Sequence, residues 1–183
     1  MAGAEVHGST LGILGMGRIG QAMADRARAF RMQIHYSNRQ RLSPELEKGA
    51  IFHADPEDML PHCDVLSINA PMTPATRKWV NAERTGKLPK GAIVVNTARG
   101  GVVDDEALIA ALKSGRLAAA GLDVFDGEPT IHPGYYDLAN AFLLPHMGSA
   151  TVETRNAMGF RALDNLEAFL LRKQAPPDAV KAS

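Results

Sequence analysis

Short aliphatic runs alternate along this chain with longer stretches of helical periodicity. Thr10 to Leu14 is an apolar run that ends on Gly15, which suits a buried parallel strand. Arg18 to Phe30 then carries Ile19, Met23, Ala27 and Phe30 at helical spacing, and a second strand fits Met32 to Tyr36. Asp64 to Ile68 and Ala92 to Asn96 read as further strands, aliphatic or β-branched with turn chemistry around them. Acidic Asp104-Asp105-Glu106 opens a helix that runs to Leu112 and stops at Ser114-Gly115. Strands are predicted again over Leu117–Leu122 and Phe142–Leu144, and a long amphipathic helix over Thr151–Leu171. Gly127 to Asn140 is polar and rich in Gly, Pro and Tyr, so it is a loop; Pro176-Pro177 closes the ordered region. Strands alternating with helices through short loops predict an α/β fold, a doubly wound parallel sheet. The expected organisation is a lead-in over 1–9, one dinucleotide-binding domain over 10–172 and a tail over 173–183.

Composition narrows the function classes. With 183 residues, the chain can bury one well-formed α/β core. Lys and Arg number 20 and Asp and Glu number 20, which gives no electrostatic case for nucleic acid or an anionic membrane. Cys63 is the only cysteine, so no internal disulfide can form and a reducing compartment is expected. The start, Met1 to His7, lacks the basic-then-apolar pattern of a signal peptide. No apolar run approaches the roughly 18 residues that span a bilayer. The expectation is a soluble, cytoplasmic protein without a metal.

Gly15-Met16-Gly17-Arg18-Ile19-Gly20 stands between a predicted strand and a predicted helix, the context in which such a hexad holds a dinucleotide. Gly15 permits the tight turn, Gly17 lets backbone approach a pyrophosphate, and Gly20 lets the helix pack close to the sheet. The phosphates would meet the helix start around Arg18 and Ile19. The second strand usually ends on an acid that binds the adenosine ribose. Here it ends Ser37-Asn38-Arg39, with no acid before Glu45. Ser37 and Asn38 can hydrogen-bond a 2′-phosphate, and Arg39, with Arg41 nearby, can neutralise it. NADP(H) is therefore expected over NAD(H), against the plainer reading of Arg39 and Arg41 as solvated loop charges.

Arg99 lies just past the strand ending at Asn96, at the carboxyl edge where open α/β sheets bind ligands. Its planar guanidinium suits the carboxylate or keto oxygen of a 2-keto acid, although a lone surface arginine is more often an ion-pair partner. His146 follows the last predicted strand and can donate a proton to a developing alkoxide. Glu128, in Gly127-Glu128-Pro129, can fix the tautomer of such a histidine and favour its protonated form. Taken singly, the histidine reads as structural and the glutamate as a solvated loop acid.

The phrases Thr97-Ala98-Arg99-Gly100-Gly101-Val102-Val103-Asp104, Ala120-Gly121-Leu122-Asp123-Val124-Phe125, Gly127-Glu128-Pro129 and Leu144-Pro145-His146-Met147-Gly148-Ser149-Ala150 follow in that order, with Thr154-Arg155 after them. In this the chain resembles the nucleotide-binding half of the D-isomer-specific 2-hydroxyacid dehydrogenases, over nearly everything from Thr10 to Val180. Gly134-Tyr135-Tyr136-Asp137-Leu138 strengthens the likeness to the glyoxylate/hydroxypyruvate reductases. The resemblance implies a substrate site of Arg99, Glu128 and His146. It also implies cofactor contacts from the loop Asn69-Ala70-Pro71 to Thr76, from Thr97, Ala98 and Asp123, and from His146, Gly148 and Ser149. A plain turn and a helix cap are the competing readings of the loop and of Asp123. The partners implied are a small 2-keto or 2-hydroxy acid and a second copy of the chain, as a homodimer.

In that family a substrate domain precedes the first strand, and the chain returns to it at the end. Only nine residues precede Thr10 here, and Gln174 to Val180 resembles the start of the return. Without that domain, substrate positioning and exclusion of water are both impaired. Two classes stay open: a reductase, truncated or completed by another chain, and a cofactor-binding or interaction module without turnover.

Overall fold

The computed structural model describes residues 3–180. Seven strands, β1 (Thr10–Leu14), β2 (Gln33–Ser37), β3 (Ile51–Phe52), β4 (Val65–Ile68), β5 (Ala92–Asn96), β6 (Leu117–Leu122) and β7 (Ala141–Leu143), form one sheet. Its order is β3-β2-β1-β4-β5-β6-β7, with every pairing parallel. Strand order reverses between β1 and β4, the switch point at which doubly wound sheets bind ligands. The helices are α1 (Arg18–Ala29), α2 (Pro44–Glu47), α3 (Pro56–Met59), α4 (Ala82–Lys87), α5 (Asp105–Lys113) and α6 (Val152–Leu170). The expected Rossmann-like sheet is present.

Register explains how the two sheet faces are covered. Leu11 pairs with Ile34 and Ile13 with Tyr36, and these side chains share a core with Ala24 and Ala27 of α1. Alternate positions point to the other face, where Leu14, Leu66, Ile68 and Val94 join Met59, Leu108 and Leu117. Gly12 belongs to that second face. A methyl group there would overlap the Cys63 sulfur, so strand and cysteine meet in direct contact.

The structure departs from the sequence pattern in several places. Helix α1 buries its small residues, Gly20, Ala24 and Ala27, while Ile19 is 71% exposed and Phe30 is also exposed. Close packing requires this, because a methyl group on Gly20 would come within 2.5 Å of the Gly15 carbonyl oxygen and 3.2 Å of Ile13 Cγ2. Met32, expected in β2, instead donates its N–H to the Ala27 carbonyl as the helix unwinds. The short elements β3, α2, α3 and α4 have too little periodicity to be read from sequence.

The described residues fall into two compact units, the first ending at Pro145 and the second opening at His146. In the second, Thr151 caps α6 by accepting the Thr154 N–H at 3.1 Å. The segment after Pro176-Pro177 doubles back on that helix. Arg161 grips the Asp178 carboxylate with contacts of 2.6 and 2.8 Å, and Asn165 accepts the Asp178 N–H at 2.9 Å. Met1 and Ala2 of the expected lead-in, and residues 181–183 of the expected tail, lie outside the described residues. Among the described residues no helix is long and apolar enough to cross a membrane, and no group of three or more His, Cys, Asp or Glu could hold a metal ion.

Candidate cofactor and active site

The glycine hexad forms the turn from β1 into α1. Gly15 has φ +91°, and a methyl group on it would lie 2.7 Å from the Ala70 nitrogen, so the loops after β1 and β4 touch here through a missing side chain. Gly17 caps α1, and a methyl group on it would meet nothing within 4 Å. Its surface is open for a ligand to reach the backbone. No side chain caps α1 and no acid occupies its first turn, which leaves the helix dipole and N–H groups facing outward, as an anion requires. Gly17, Arg18, Ile19, Gly20, Asn69 and Thr97 all line one cleft of about 720 Å³ over this turn. These residues fit a dinucleotide pyrophosphate.

At the end of β2 the expected residues divide. Asn38 accepts the Met16 N–H on Oδ1 at 2.7 Å, and its Nδ2 reaches the Met16 carbonyl at 3.4 Å. Its amide thus latches the glycine loop to β2. Ser37 is buried, and its carbonyl accepts the Gly15 N–H at 2.9 Å. Arg41 is engaged by Glu47, with Nε 2.8 Å from Oε1 and a terminal nitrogen 3.1 Å from Oε2. Arg39 is exposed and makes no hydrogen bond or ion pair among the described residues.

The loop after β4 is braced by its own threonines. Thr76 donates its hydroxyl to the Pro71 carbonyl at 2.7 Å and accepts the Thr73 N–H at 2.8 Å. Asn69 donates from Nδ2 to Ser67 Oγ at 3.0 Å. Here the structure gives Thr76 a loop-building contact.

Arg99 stands on a turn organised by Asn96, a residue absent from the sequence expectations. Asn96 is fully buried; its Oδ1 accepts the Ala98 N–H and its Nδ2 donates to the Arg99 carbonyl, each at 3.0 Å. An asparagine at a strand end, three residues before the arginine, was the available signal. Asn96 also accepts the Asp123 N–H on its carbonyl at 3.0 Å, which places the buried Asp123 at the neighbouring strand end. The Arg99 side chain is exposed.

Gly100 carries the contact between the Arg99 turn and the Glu128 loop. A methyl group on Gly100 would overlap the Phe125–Asp126 peptide, so the two backbones touch. Glu128 in turn accepts the Phe125 N–H on Oε1 at 2.7 Å. Arg99 and Glu128 are therefore carried by two loops in direct backbone contact, within the first unit. His146 opens the second unit with φ +52°, a left-handed backbone that is uncommon outside glycine and in which histidine is enriched. Gly148 and Ser149 follow it, exposed.

Comparison with known proteins agrees with this geometry. Residues 1–148 match the family described as D-isomer specific 2-hydroxyacid dehydrogenase, NAD binding domain. The glycerate dehydrogenase of Hyphomicrobium methylovorum is 49% identical over 171 residues, 92% of this chain and 53% of that protein. A solved glyoxylate reductase from Paecilomyes thermophila superposes with a TM-score of 0.91 at 42% identity, covering 96% of this chain and 53% of that one. An NADPH-dependent glyoxylate/hydroxypyruvate reductase from Sinorhizobium meliloti, solved with NADP and malonate, gives 0.87 at 37% identity, covering 96% and 56%. The chain spans about half the length of these relatives. The parallel sheet, the open glycine turn and these matches agree, and the chain belongs to the D-isomer specific 2-hydroxyacid dehydrogenase family, in its NAD binding domain.

Proposed function

We propose that this chain binds NADP(H) in preference to NAD(H) and serves the reduction of a small 2-keto acid, glyoxylate or hydroxypyruvate, to the 2-hydroxy acid. The observation that carries this reading is the backbone contact between the Arg99 turn and the Glu128 loop, beside a cleft fit for a dinucleotide. When bound, the nicotinamide supplies a hydride. Arg99 holds the substrate carboxylate or keto oxygen and polarises the carbonyl. His146 gives a proton to the carbonyl oxygen, and Glu128 favours the imidazolium before the transfer. The NADP(H) preference is supported by Arg39, by the missing acid at the end of β2, and by the NADP-bound relative from Sinorhizobium meliloti. Among the remaining cofactor contacts proposed are Ser37, Asn69, Ala70, Thr97, Asp123, Gly148 and Ser149. A homodimer in the cytoplasm belongs to the same proposal and rests on the family resemblance.

The test is the loss of reduced-nicotinamide absorbance when this chain meets glyoxylate or hydroxypyruvate with NADPH and then NADH. Turnover that falls by roughly 10²- to 10⁴-fold in His146→Ala, and is lost in Arg99→Ala, supports the reductase. A second reading is a cofactor-binding module without turnover, which the cleft over the glycine turn supports by itself. NADPH binding without any turnover would select that reading.

A further inference from the structure

Tyr135 lies in the loop that carries Glu128, and only 1% of it is exposed. Its hydroxyl donates to Asp105 Oδ1 at 2.7 Å, in the first turn of α5. Burial raises the Asp105 carboxyl above its ordinary range, Asp126 and Asp104 add to the rise, and the Tyr135 hydrogen bond and His132 oppose it. Burial also raises the Tyr135 hydroxyl, so tyrosine is the donor. The ring meets Phe125 edge-on with centroids 6.1 Å apart, and His132 with centroids 6.2 Å apart. His132 is itself fixed, accepting the Gly134 N–H on Nδ1 at 3.1 Å and standing 2.9 Å from Glu106 through Nε2.

Phe125 joins this cluster to the candidate site. Its N–H is the donor to Glu128 Oε1, and its carbonyl end abuts Gly100, next to Arg99. We propose that Tyr135 is a positioning residue for Glu128: held by Asp105, its ring seats Phe125 against Gly100 and so fixes the N–H that orients the Glu128 carboxylate relative to Arg99. The proposal rests on the role given above to Glu128. Packing alone does not account for the hydroxyl. Phenylalanine would fill nearly the same volume without bringing a polar oxygen into the interior and a carboxylate beside it.

The experiment is Tyr135→Phe on this chain, with Asp105→Asn as a second variant, read by amide hydrogen exchange and by steady-state reduction. The Phe125 N–H should exchange about tenfold faster in both variants, while the Val94 N–H in β5 keeps its rate. The exchange measurement needs no turnover. In reduction, kcat should fall about tenfold with KM changed less than twofold. Unchanged exchange at Phe125 overturns the proposal, and so does equal acceleration at Phe125 and Val94, the mark of a purely structural role. Glu128→Gln separates the two levels of inference. If it leaves kcat untouched, the role of Glu128 itself fails. If it lowers kcat while Tyr135→Phe turns over at the unaltered rate, only the positioning by Tyr135 fails.

Discussion

Arg41 closes a two-pronged ion pair on Glu47, Nε to Oε1 at 2.8 Å and a terminal nitrogen to Oε2 at 3.1 Å. Glu47 is 5% exposed and also accepts the Tyr36 hydroxyl at 2.6 Å. The Arg41 hydrogen bonds, then that of Tyr36, hold the Glu47 carboxyl below its ordinary 4.5. A carboxyl lowered in the fold contributes stability above its unfolded value, lost as pH falls through the lowered folded one. The thermal midpoint should fall as pH drops below about 4.5. Glu47→Gln should flatten that fall, which thermal unfolding across a pH series would show.

The same ion pair separates two neighbouring arginines. Arg39→Ala should weaken NADPH binding roughly 10- to 100-fold while leaving NADH binding unchanged. Arg41→Ala should leave the ratio of the two affinities unchanged and lower the thermal midpoint, since it strips a buried carboxylate of its cation. Fluorescence titration with each cofactor checks both. Equal loss of NADPH and NADH affinity in Arg39→Ala would remove the case for 2′-phosphate recognition.

The hexad glycines should respond to substitution in opposite ways. Gly17→Val should keep the fold and lose cofactor affinity by about tenfold or more, because its side chain would enter the open surface over the turn. Gly15→Ala should instead lower stability by about 1–3 kcal/mol, since φ is positive there and Ala70 is in contact. Chemical denaturation beside cofactor titration distinguishes them.

His35 and His53 face each other with Nδ1 and Nε2 2.9 Å apart, and the ring of His62 lies 5.1 Å from that of His35 and 5.8 Å from that of His53. Burial first, then the neighbouring imidazoles, hold His35 below 6.5; burial and His62 do the same for His53, with Asp58 opposing. A histidine lowered in the fold takes up its proton first in the unfolded chain. Stability is full above about 6.5 and declines as pH falls from there towards the folded value. His53→Gln should reduce the loss of thermal midpoint between about pH 7 and 5; an identical slope would discount the cluster.

Burial, and next the charge of Asp64, push the Cys63 thiol up to about 12. The native chain should react with an aromatic disulfide reagent at least about a hundredfold more slowly than the denatured chain. Rapid native labelling would contradict the contact between Cys63 and Gly12.

What was legible in the sequence is what local chemistry fixes. The limits of β5 and β6 are those of the apolar runs Ala92–Asn96 and Leu117–Leu122, because buried parallel strands need unbroken aliphatic stretches. Likewise Gly15 and Gly17 declared the turn: Gly15 takes the positive φ, and Gly17 leaves the backbone open. The face α1 buries was legible in part: Gly20 and Ala27 are buried as the sequence suggested, Ala24 joins them, and Ile19 and Phe30 are exposed. Asn38 and Arg41, which as sequence can meet a phosphate, are engaged by Met16 and Glu47. Those partners lie 22 and 6 residues away. Such pairings, like the meeting of Tyr135 with Asp105 and of Gly100 with Phe125, arise only when the sheet brings strand ends together. Sequence determined which residues carry useful chemistry; tertiary packing decided which of them another residue had already engaged.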